Sequence, residues 1–354
     1  MSTLSTAFTR VFGCRIPIMG APMAGVSGGG LAAATCRAGG LGFVAAGHLA
    51  EPEQLRQQVA RFRELAPKDA PLGLGFITYS SCSDGFTKLQ AALDEHKPAW
   101  VQYFAPALMG DAARNVELAR GAGAKVLMQV GCVRDAKSAL EAGVDCIIAQ
   151  GREAGGHGLR SELGSGTLPL AARVVSLAAR YARPGESRTL VLAAGGVTCG
   201  RGLAAALALG CDGAVLGTRL WASAESIGKP ELQRALLGAE ADDVLRTRVF
   251  DAINNVGSAH PWPEPYDSVG ALRNQTTATW EGRVPELQEA LGSGGGEVAS
   301  GPLFYPADPE RAAVLAGEGV GAIHAIEPAA LILARVEAEA VEAIRALQQV
   351  LVVS

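Results

Sequence analysis

The hydrophobic positions of this chain form short continuous runs, separated by alanine-rich stretches with helical character. Most runs lack strict alternation, which is typical of parallel strands covered on both faces. Several helical stretches end at a glycine just before the next run, and a glycine there can adopt the left-handed conformation that closes a helix. This repeat predicts an alternating βα architecture. The predicted strands cover residues 16–22, 41–46, 72–77, 100–104, 126–130, 146–150, 190–194 and 214–216.

Eight predicted strands with helices between them favour an α/β fold, a closed (β/α)8 TIM barrel, with a doubly wound open sheet as the alternative. After Leu220 the rhythm breaks and the chain becomes more polar. We therefore predict a barrel over residues 1–223 and a smaller, mainly helical part over 224–354 that packs on it. The last helix is expected at about 328–349.

Composition narrows the class of protein further. Of the 354 residues, 49% are hydrophobic and 19% are charged, which excludes an intrinsically disordered chain. The net charge of −4 gives no basic footprint for nucleic acid, and no apolar stretch reaches the roughly 20 residues of a membrane span. The N-terminus lacks a secretory signal pattern, and the seven cysteines include no C-x-x-C pair. We expect a cytoplasmic protein with reduced thiols and neither a nucleic-acid nor a membrane partner; its oligomeric state is left open.

The ends of the predicted strands carry few reactive side chains. Active sites of TIM barrels lie where the strands end. None of the six lysines lies there, which argues against Schiff-base or pyridoxal chemistry. Glu153 is the one carboxylate at these ends, and the histidines show no metal-ligand spacing, so we expect no metal site. Side chains this unreactive indicate a bound cofactor.

Two glycine motifs predict where a cofactor phosphate would bind. Gly195 and Gly196 follow the seventh predicted strand, and Gly217 and Thr218 follow the eighth. Barrels often bind phosphate after these two strands, through backbone N–H groups and a helix N-terminus. The alternative is that these glycines only form βα turns.

His157 is the residue best suited to proton transfer. It follows the sixth predicted strand and has glycines on both sides, so its loop can approach a ligand closely. An imidazole can accept a proton near neutral pH. The alternative is a loop histidine that bonds only to the backbone. His48, at the end of the second strand, is a weaker candidate.

Four segments, residues 17–25, 150–158, 193–197 and 216–219, occur in the order found in a known family. Through them the chain resembles the nitronate monooxygenases. The resemblance implies a (β/α)8 barrel that binds FMN without a covalent bond, with His157 as the catalytic histidine. It also implies cofactor contacts at Pro22, Met23, Ala24, Gly75, Gln129, Gln150, Gly151, Gly155, Gly156, Gly195, Gly196, Gly217 and Thr218.

Within that set, the resemblance places the flavin ring against residues 22–24 and its polar edge near Gln129 and Gln150. It places the phosphate at the two glycine motifs. Gly75 departs from the family pattern, because many members carry an asparagine there. A flavin contact at this position must then come from the backbone or from water.

The activity implied by the resemblance is oxidative denitrification. An alkyl nitronate or nitroalkane is converted to a carbonyl compound and nitrite, with FMN passing electrons to O2 and His157 taking the α-proton of a neutral nitroalkane. Met23, Phe76 and His48 would suit a small substrate. The alternatives are an NAD(P)H-dependent reductase of quinones or enoyl thioesters and a non-catalytic flavin-binding barrel. A phosphosugar isomerase would lack a carboxylate or lysine base.

Overall fold

A computed structural model describes residues 3–49, 51–78, 86–105, 112–182, 187–256, 258, 260–292 and 307–350. Its strands are β1 (Ile18–Gly20), β2 (Val44–Ala45), β3 (Gly73–Ile77), β4 (Trp100–Phe104), β5 (Lys125–Val130), β6 (Cys146–Gln150), β7 (Gly156–His157), β8 (Leu190–Ala194), β9 (Gly213–Leu216), β10 (Val244–Thr247) and β11 (Val269–Leu272). Within the described residues, eight of these strands form one parallel sheet in the order β1-β9-β8-β6-β5-β4-β3-β2.

The sheet closes on itself between β1 and the segment that enters β2. Met19 forms a parallel bridge with Leu41. The Leu41 N–H donates to Ile18 O at 2.9 Å, and the Gly20 N–H donates to Leu41 O at 2.9 Å. The eight strands therefore form a barrel, which confirms the predicted (β/α)8 fold and excludes the open sheet.

Helices cover the outside of the barrel, and further helices follow it in the chain. They are α1 (Ala7–Phe12), α2 (Gly29–Arg37), α3 (Pro52–Leu65), α4 (Thr87–His96), α5 (Ala112–Gly121), α6 (Val133–Glu141), α7 (Thr167–Tyr181), α8 (Gly200–Ala208), α9 (Thr218–Trp221), α10 (Pro230–Arg234), α11 (Val249–Asn254), α12 (Gln275–Trp280), α13 (Val284–Gly292) and α14 (Ala329–Gln348).

Two apolar clusters divide the strand residues by the face they occupy. Alternate strand residues such as Leu74 and Tyr103 pack outward against the helices. The intervening positions, such as Trp100, fill the barrel interior together with Phe8 and Phe12 of α1. The Phe12 and Trp100 rings are 4.8 Å apart, so α1 closes the end of the barrel where the strands begin. The other end is left to the loops that form the site.

The last helix, α14, completes the outer layer. The helix that follows β9 is the single turn α9, too short to cover the sheet. Helix α14 instead packs against α8 and α2. At Gly200, an added β-carbon would lie 2.5 Å from Val336 O, so glycine permits this close approach. An ion pair between Arg15 and Glu337 at 2.6 Å ties α14 to the start of the barrel.

A second, three-stranded sheet lies over the loop that follows β6. It has the order β10-β11-β7 and is antiparallel, with Val244 opposite Leu272 and Val269 opposite His157. The C-terminal part of the chain therefore contributes two strands, β10 and β11, as well as helices. Those strands bring residues from beyond the barrel to His157.

No described helix has both the length and the apolar composition needed to cross a membrane.

Candidate active site

The predicted site residues gather where the barrel strands end. Gln129 lies one residue before the end of β5, and Gln150 ends β6. The loops after β1, β8 and β9 open on the same side. The three-stranded sheet adds His157 to this end, because β7 follows β6 after five intervening residues.

His157 is held through both its main chain and its ring. Gln150 donates from Nε2 to His157 O at 3.0 Å, and β11 pairs with the strand that carries the histidine. His157 Nε2 lies 2.9 Å from Asp251 Oδ1. The His157 side chain is 18% exposed and that of Asp251 is 2% exposed, so the imidazole reaches the surface while its partner does not.

An indole ring covers one face of this imidazole. The rings of His157 and Trp262 are 3.6 Å apart between centroids and are inclined by 16°. Asn255 fixes the main chain of Trp262, accepting from its N–H at 2.7 Å and donating to its carbonyl at 3.2 Å. Phe104 lies 5.9 Å from the Trp262 ring and 5.5 Å from the Tyr266 ring. We call Phe104, Trp262 and Tyr266 the aromatic wall; it borders the site beyond β4.

Arg246 holds the glycine-rich loop beneath His157. From β10, its guanidinium donates to Ala154 O at 2.7 Å, to Gly156 O at 3.3 Å and to Ser268 O at 3.1 Å. Burial lowers the pKa of Arg246 to about 10, against the opposing effect of nearby carboxylates that include Asp251. The side chain still carries its charge at neutral pH, and it fixes backbone carbonyls that a loop would otherwise leave to water.

Glu153 caps a helix. Its carboxylate accepts from the Thr167 N–H at 2.9 Å and from the Thr167 hydroxyl at 2.9 Å. Thr167 is the first residue of α7, so the negative charge lies at the positive end of that helix. A β-carbon at Gly151 would overlap Thr167 Oγ1 and Glu153 Oε2, which explains the glycine directly after β6.

Gly155 is required by a loop from the C-terminal part. A β-carbon there would lie 2.5 Å from Ala316 C and 2.6 Å from Gly317 N. The neighbouring Gly156 has a φ of 69°, in the left-handed region that favours glycine. The loop at residues 316–319 thus rests directly on the loop that carries His157.

The two predicted phosphate motifs form a cradle that can hold an anion. Gly195 and Gly196 have φ values of 101° and 72°. Among the described residues, no acceptor takes the N–H groups of Gly196 or Thr218. A β-carbon at Gly217 would have nothing closer than 3.8 Å, so open space lies beside it. Free backbone donors beside open space at the start of a helix turn are what a phosphate requires.

One part of this cradle comes from outside the two glycine motifs. Thr218 Oγ1 accepts from the Gly317 N–H at 3.1 Å, and a β-carbon at Gly319 would lie 3.1 Å from Gly196 O. The C-terminal loop 316–319 therefore closes over the glycine motifs.

The inner wall near β3 and β4 carries a pair of amides. Gln102 Nε2 donates to Gln129 Oε1 at 3.1 Å. Gly75 lies beside this pair, since an added β-carbon would be 3.0 Å from Gln102 Oε1. Gln102 is buried and was not among the predicted site residues.

The loop after β1 places Met23 beside the cradle. Met23 Sδ is 3.8 Å from the position that a Gly217 β-carbon would take. Pro22 packs over Gly75, and Ala24 is exposed on the same loop. His48 supports this loop, accepting from the Gly25 N–H at 3.2 Å through Nε2.

Phe76 is the one predicted site residue that the structure turns away from the barrel mouth. It is buried in the outer cluster, and its ring lies 6.5 Å from that of Tyr103. Neighbouring strand residues point to opposite faces, so the position after Gly75 must face the helices. Phe104 of β4 takes the place of an aromatic residue at the mouth.

Asp251, Trp262 and Arg246 are site residues that sequence reasoning missed. All three lie beyond the repeating βα units, in a part of the sequence where none of the motifs described above includes them. The proline-rich segment around Trp262 (residues 261–265) was the one available signal. No group of three or more His, Cys, Asp or Glu side chains able to hold a metal occurs in the described part of the chain.

Comparison with known proteins decides the family. The sequence model described as nitronate monooxygenase matches residues 5–336. The chain belongs to the nitronate monooxygenase family. The nitronate monooxygenase of Neurospora crassa is 33% identical over 361 residues, covering 94% of this chain and 90% of the relative. The resemblance that the sequence motifs indicated is thereby confirmed.

Solved structures place this family member among barrel enzymes. FabK from Thermotoga maritima matches with a TM-score of 0.77 at 27% identity, covering 99% of this chain and 100% of that one. The nitroalkane oxidase of Streptomyces ansochromogenes matches with a TM-score of 0.73 at 28% identity, covering 97% and 100%. The chain is therefore a flavin-dependent oxidoreductase of the nitronate monooxygenase family on a TIM barrel.

Proposed function

We propose that the protein binds FMN and oxidises alkyl nitronates or nitroalkanes to carbonyl compounds and nitrite, with O2 as co-substrate. The anion cradle supports this choice of flavin, because FMN carries a terminal phosphate. Gly195, Gly196, Gly217 and Thr218 would hold that phosphate through backbone N–H groups.

The remaining family positions would hold the ring system. Residues 22–24 would line the isoalloxazine, and Gln129 and Gln150 would meet its polar edge. Gly151, Gly155 and Gly156 would supply backbone contacts, and Gly75 would leave room without adding a side chain. Phe76 has no part in this proposal, and His48 acts only by supporting the loop after β1.

The observation that carries the proposed reaction is the setting of His157. A partly exposed imidazole stands at the barrel mouth with one nitrogen on a buried carboxylate. Such a group can take the α-proton of a nitroalkane and stabilise the anionic nitronate that results. FMN, when bound, supplies the one-electron chemistry between the nitronate and O2.

Other residues of the chain shape the substrate pocket and hold the loop around His157. The aromatic wall and Met23 give apolar surface suited to a small, weakly polar substrate and exclude water from it. Arg246 and Glu153 keep the loop around His157 in one conformation through the hydrogen bonds described above.

The test uses the purified protein. We expect a yellow flavin spectrum and a released cofactor with the mass of FMN. Anaerobic ethylnitronate should reduce the flavin, and in air the mixture should release nitrite. A released cofactor other than FMN would contradict the cofactor assignment, and absence of nitrite with every nitronate tried would contradict the reaction.

An NAD(P)H-dependent reductase remains the second candidate, because the likeness to solved structures is not confined to the nitroalkane oxidase: FabK matches the fold at least as closely. Fold similarity alone does not fix the substrate. Anaerobic NADPH separates the two functions: rapid flavin reduction by NADPH would favour the reductase, and indifference to it would favour the monooxygenase.

A cytoplasmic location is also part of the proposal. The six cysteines in the described residues are all free thiols. Burial raises the pKa of Cys14 and of Cys211 to about 12, which keeps these thiols protonated and unreactive. This pattern suits a reducing compartment.

A further inference from the structure

We propose that Asp251 is a positioning residue that keeps the proton of neutral His157 on Nε2, so that Nδ1 is the atom that takes the substrate proton. This inference rests on the proposed function. It concerns a residue far from every barrel motif, brought to the site by the three-stranded sheet.

The position of Asp251 is unusual for a charged side chain. It lies in the first turn of α11, is 1% exposed, and places Oδ1 2.9 Å from His157 Nε2. Its second oxygen, Oδ2, has no hydrogen-bond partner among the described residues. Arg246 is a nearby positive charge that interacts with it. Burying a carboxylate with so few partners lowers the stability of the fold. We therefore expect the hydrogen bond that the Asp251 carboxylate makes with His157 to serve the site.

The chemistry of this bond selects one tautomer. An ionised carboxylate can only accept hydrogen bonds, so the ring nitrogen that faces it must carry the hydrogen. In neutral His157 that nitrogen is Nε2, and the lone pair is then on Nδ1. Nδ1 has no hydrogen-bond partner in the described part of the chain, so no described group competes with a substrate for its lone pair.

Trp262 restricts the ring further. The stacked indole keeps the imidazole in one plane, and turning Nε2 toward a substrate would break its bond to the Asp251 carboxylate. An indole face also attracts a cation, so it favours the positive charge that develops on the ring during proton transfer.

The proton-transfer step balances without an oxidant. The α-carbon of the nitroalkane loses its proton to Nδ1, and the electron pair of the C–H bond moves into the nitro group. The products are a nitronate anion and an imidazolium, and the Asp251 carboxylate stabilises the new charge on the ring. A substrate offered as the nitronate has already lost this proton.

That difference gives a diagnostic measurement. In Asp251→Asn the amide can donate to Nε2, which stabilises the opposite tautomer and leaves no lone pair on Nδ1. We expect kcat/KM for neutral nitroethane to fall by ~100-fold or more, and that for ethylnitronate by less than ~10-fold. Asp212→Asn is the matched control: Asp212 is also buried, but it pairs with Arg188 at 2.8 Å among the core strands. It should lower thermal stability and leave the ratio of the two kcat/KM values unchanged.

A second readout requires no activity. The 15N resonances of histidine-labelled protein report which ring nitrogen carries the hydrogen, and the signal missing in His157→Asn identifies residue 157. In the unmodified chain we expect the Nε2–H form. The Nδ1–H form there, or equal loss on both substrates in Asp251→Asn, would overturn the inference. If no nitronate is turned over at all, the proposed reaction fails, and the tautomer still decides the role of Asp251.

Discussion

Pro22 lies directly over Gly75, so closely that a β-carbon at position 75 would be 2.5 Å from Pro22 Cγ. The same β-carbon would lie 3.0 Å from Gln102 Oε1. The site therefore has no room for the asparagine that the family resemblance leads one to expect on β3. The polar side chain beside Gly75 instead comes from the next strand, β4, where Gln102 donates a hydrogen bond to Gln129 of β5.

This packing makes Gly75→Asn a sharp test of the barrel interior. We expect a loss of about 1–3 kcal/mol in the free energy of unfolding, because Pro22 is rigid and cannot yield as a flexible side chain would. Flavin content, measured as the ratio of visible to ultraviolet absorbance, should fall with it. Gly121→Ala is the control, since nothing lies within 4 Å of its added β-carbon. A fully stable, flavin-replete Gly75→Asn protein would contradict the packing.

The barrel was predictable because its signals are local. Each apolar run and the glycine before it lie within a few residues, and the parallel strands are buried on both faces. The bounds were less predictable: residues 41–46 read as one strand, whereas only Val44 and Ala45 form β2. Leu41 closes the barrel through a single bridge to Met19, a contact that hydrophobicity cannot reveal.

Candidate site residues could be predicted only where they come directly after a predicted strand. Gly196, Thr218 and His157 stand beside predicted strand ends, so their shared location followed from the fold. Asp251 and Trp262 reach the imidazole through the pairing of the two-residue strand β7 with β11. So short a strand has no periodicity of its own, and its partner is far away in the chain.

The role of His157 can be tested by replacing it with asparagine. His157→Asn keeps a polar side chain of similar length and does not touch the anion cradle, so we expect the protein to retain its flavin. Turnover of a neutral nitroalkane should fall by ~100-fold or more, the usual size of a general-base contribution. Nitrite release from nitroethane measures this, with the exposed His324→Asn as control. Unchanged turnover with intact flavin would exclude His157 as the base.

Glu153 offers a prediction about stability. Its carboxylate accepts from both the N–H and the hydroxyl of Thr167 at the start of α7. Glu153→Ala should lower the free energy of unfolding by about 1–2 kcal/mol, since it removes charge-assisted capping bonds. The exposed Glu162→Ala, in the same loop, should change it by less than about 0.5 kcal/mol. Denaturant unfolding of the three proteins measures the difference, and equal stabilities would refute the cap.

The segment that carries Trp262 is anchored by a carboxylate whose effect depends on pH. Burial acts to raise the pKa of Asp267, but hydrogen bonds and charges from Arg160 and Arg248 outweigh it and lower the pKa below its usual value. The two arginines approach Asp267 at 2.7 Å and 3.0 Å. A carboxylate whose pKa is lower in the folded state stabilises the fold above its unfolded pKa of about 3.9. That contribution is lost as the pH falls through the folded value.

Asp267→Asn should therefore be less stable than the unmodified chain at about pH 7, and the gap should narrow as the pH falls below about 4. Urea unfolding across this range measures it. The exposed Asp69→Asn should show no such gap at any pH. Because Asp267 also fixes the segment that places the indole on His157, nitroalkane turnover at neutral pH should fall with the loss of stability. A difference in stability that stays constant from neutral to acid pH would show that the ion pairs of Asp267 are not its cause.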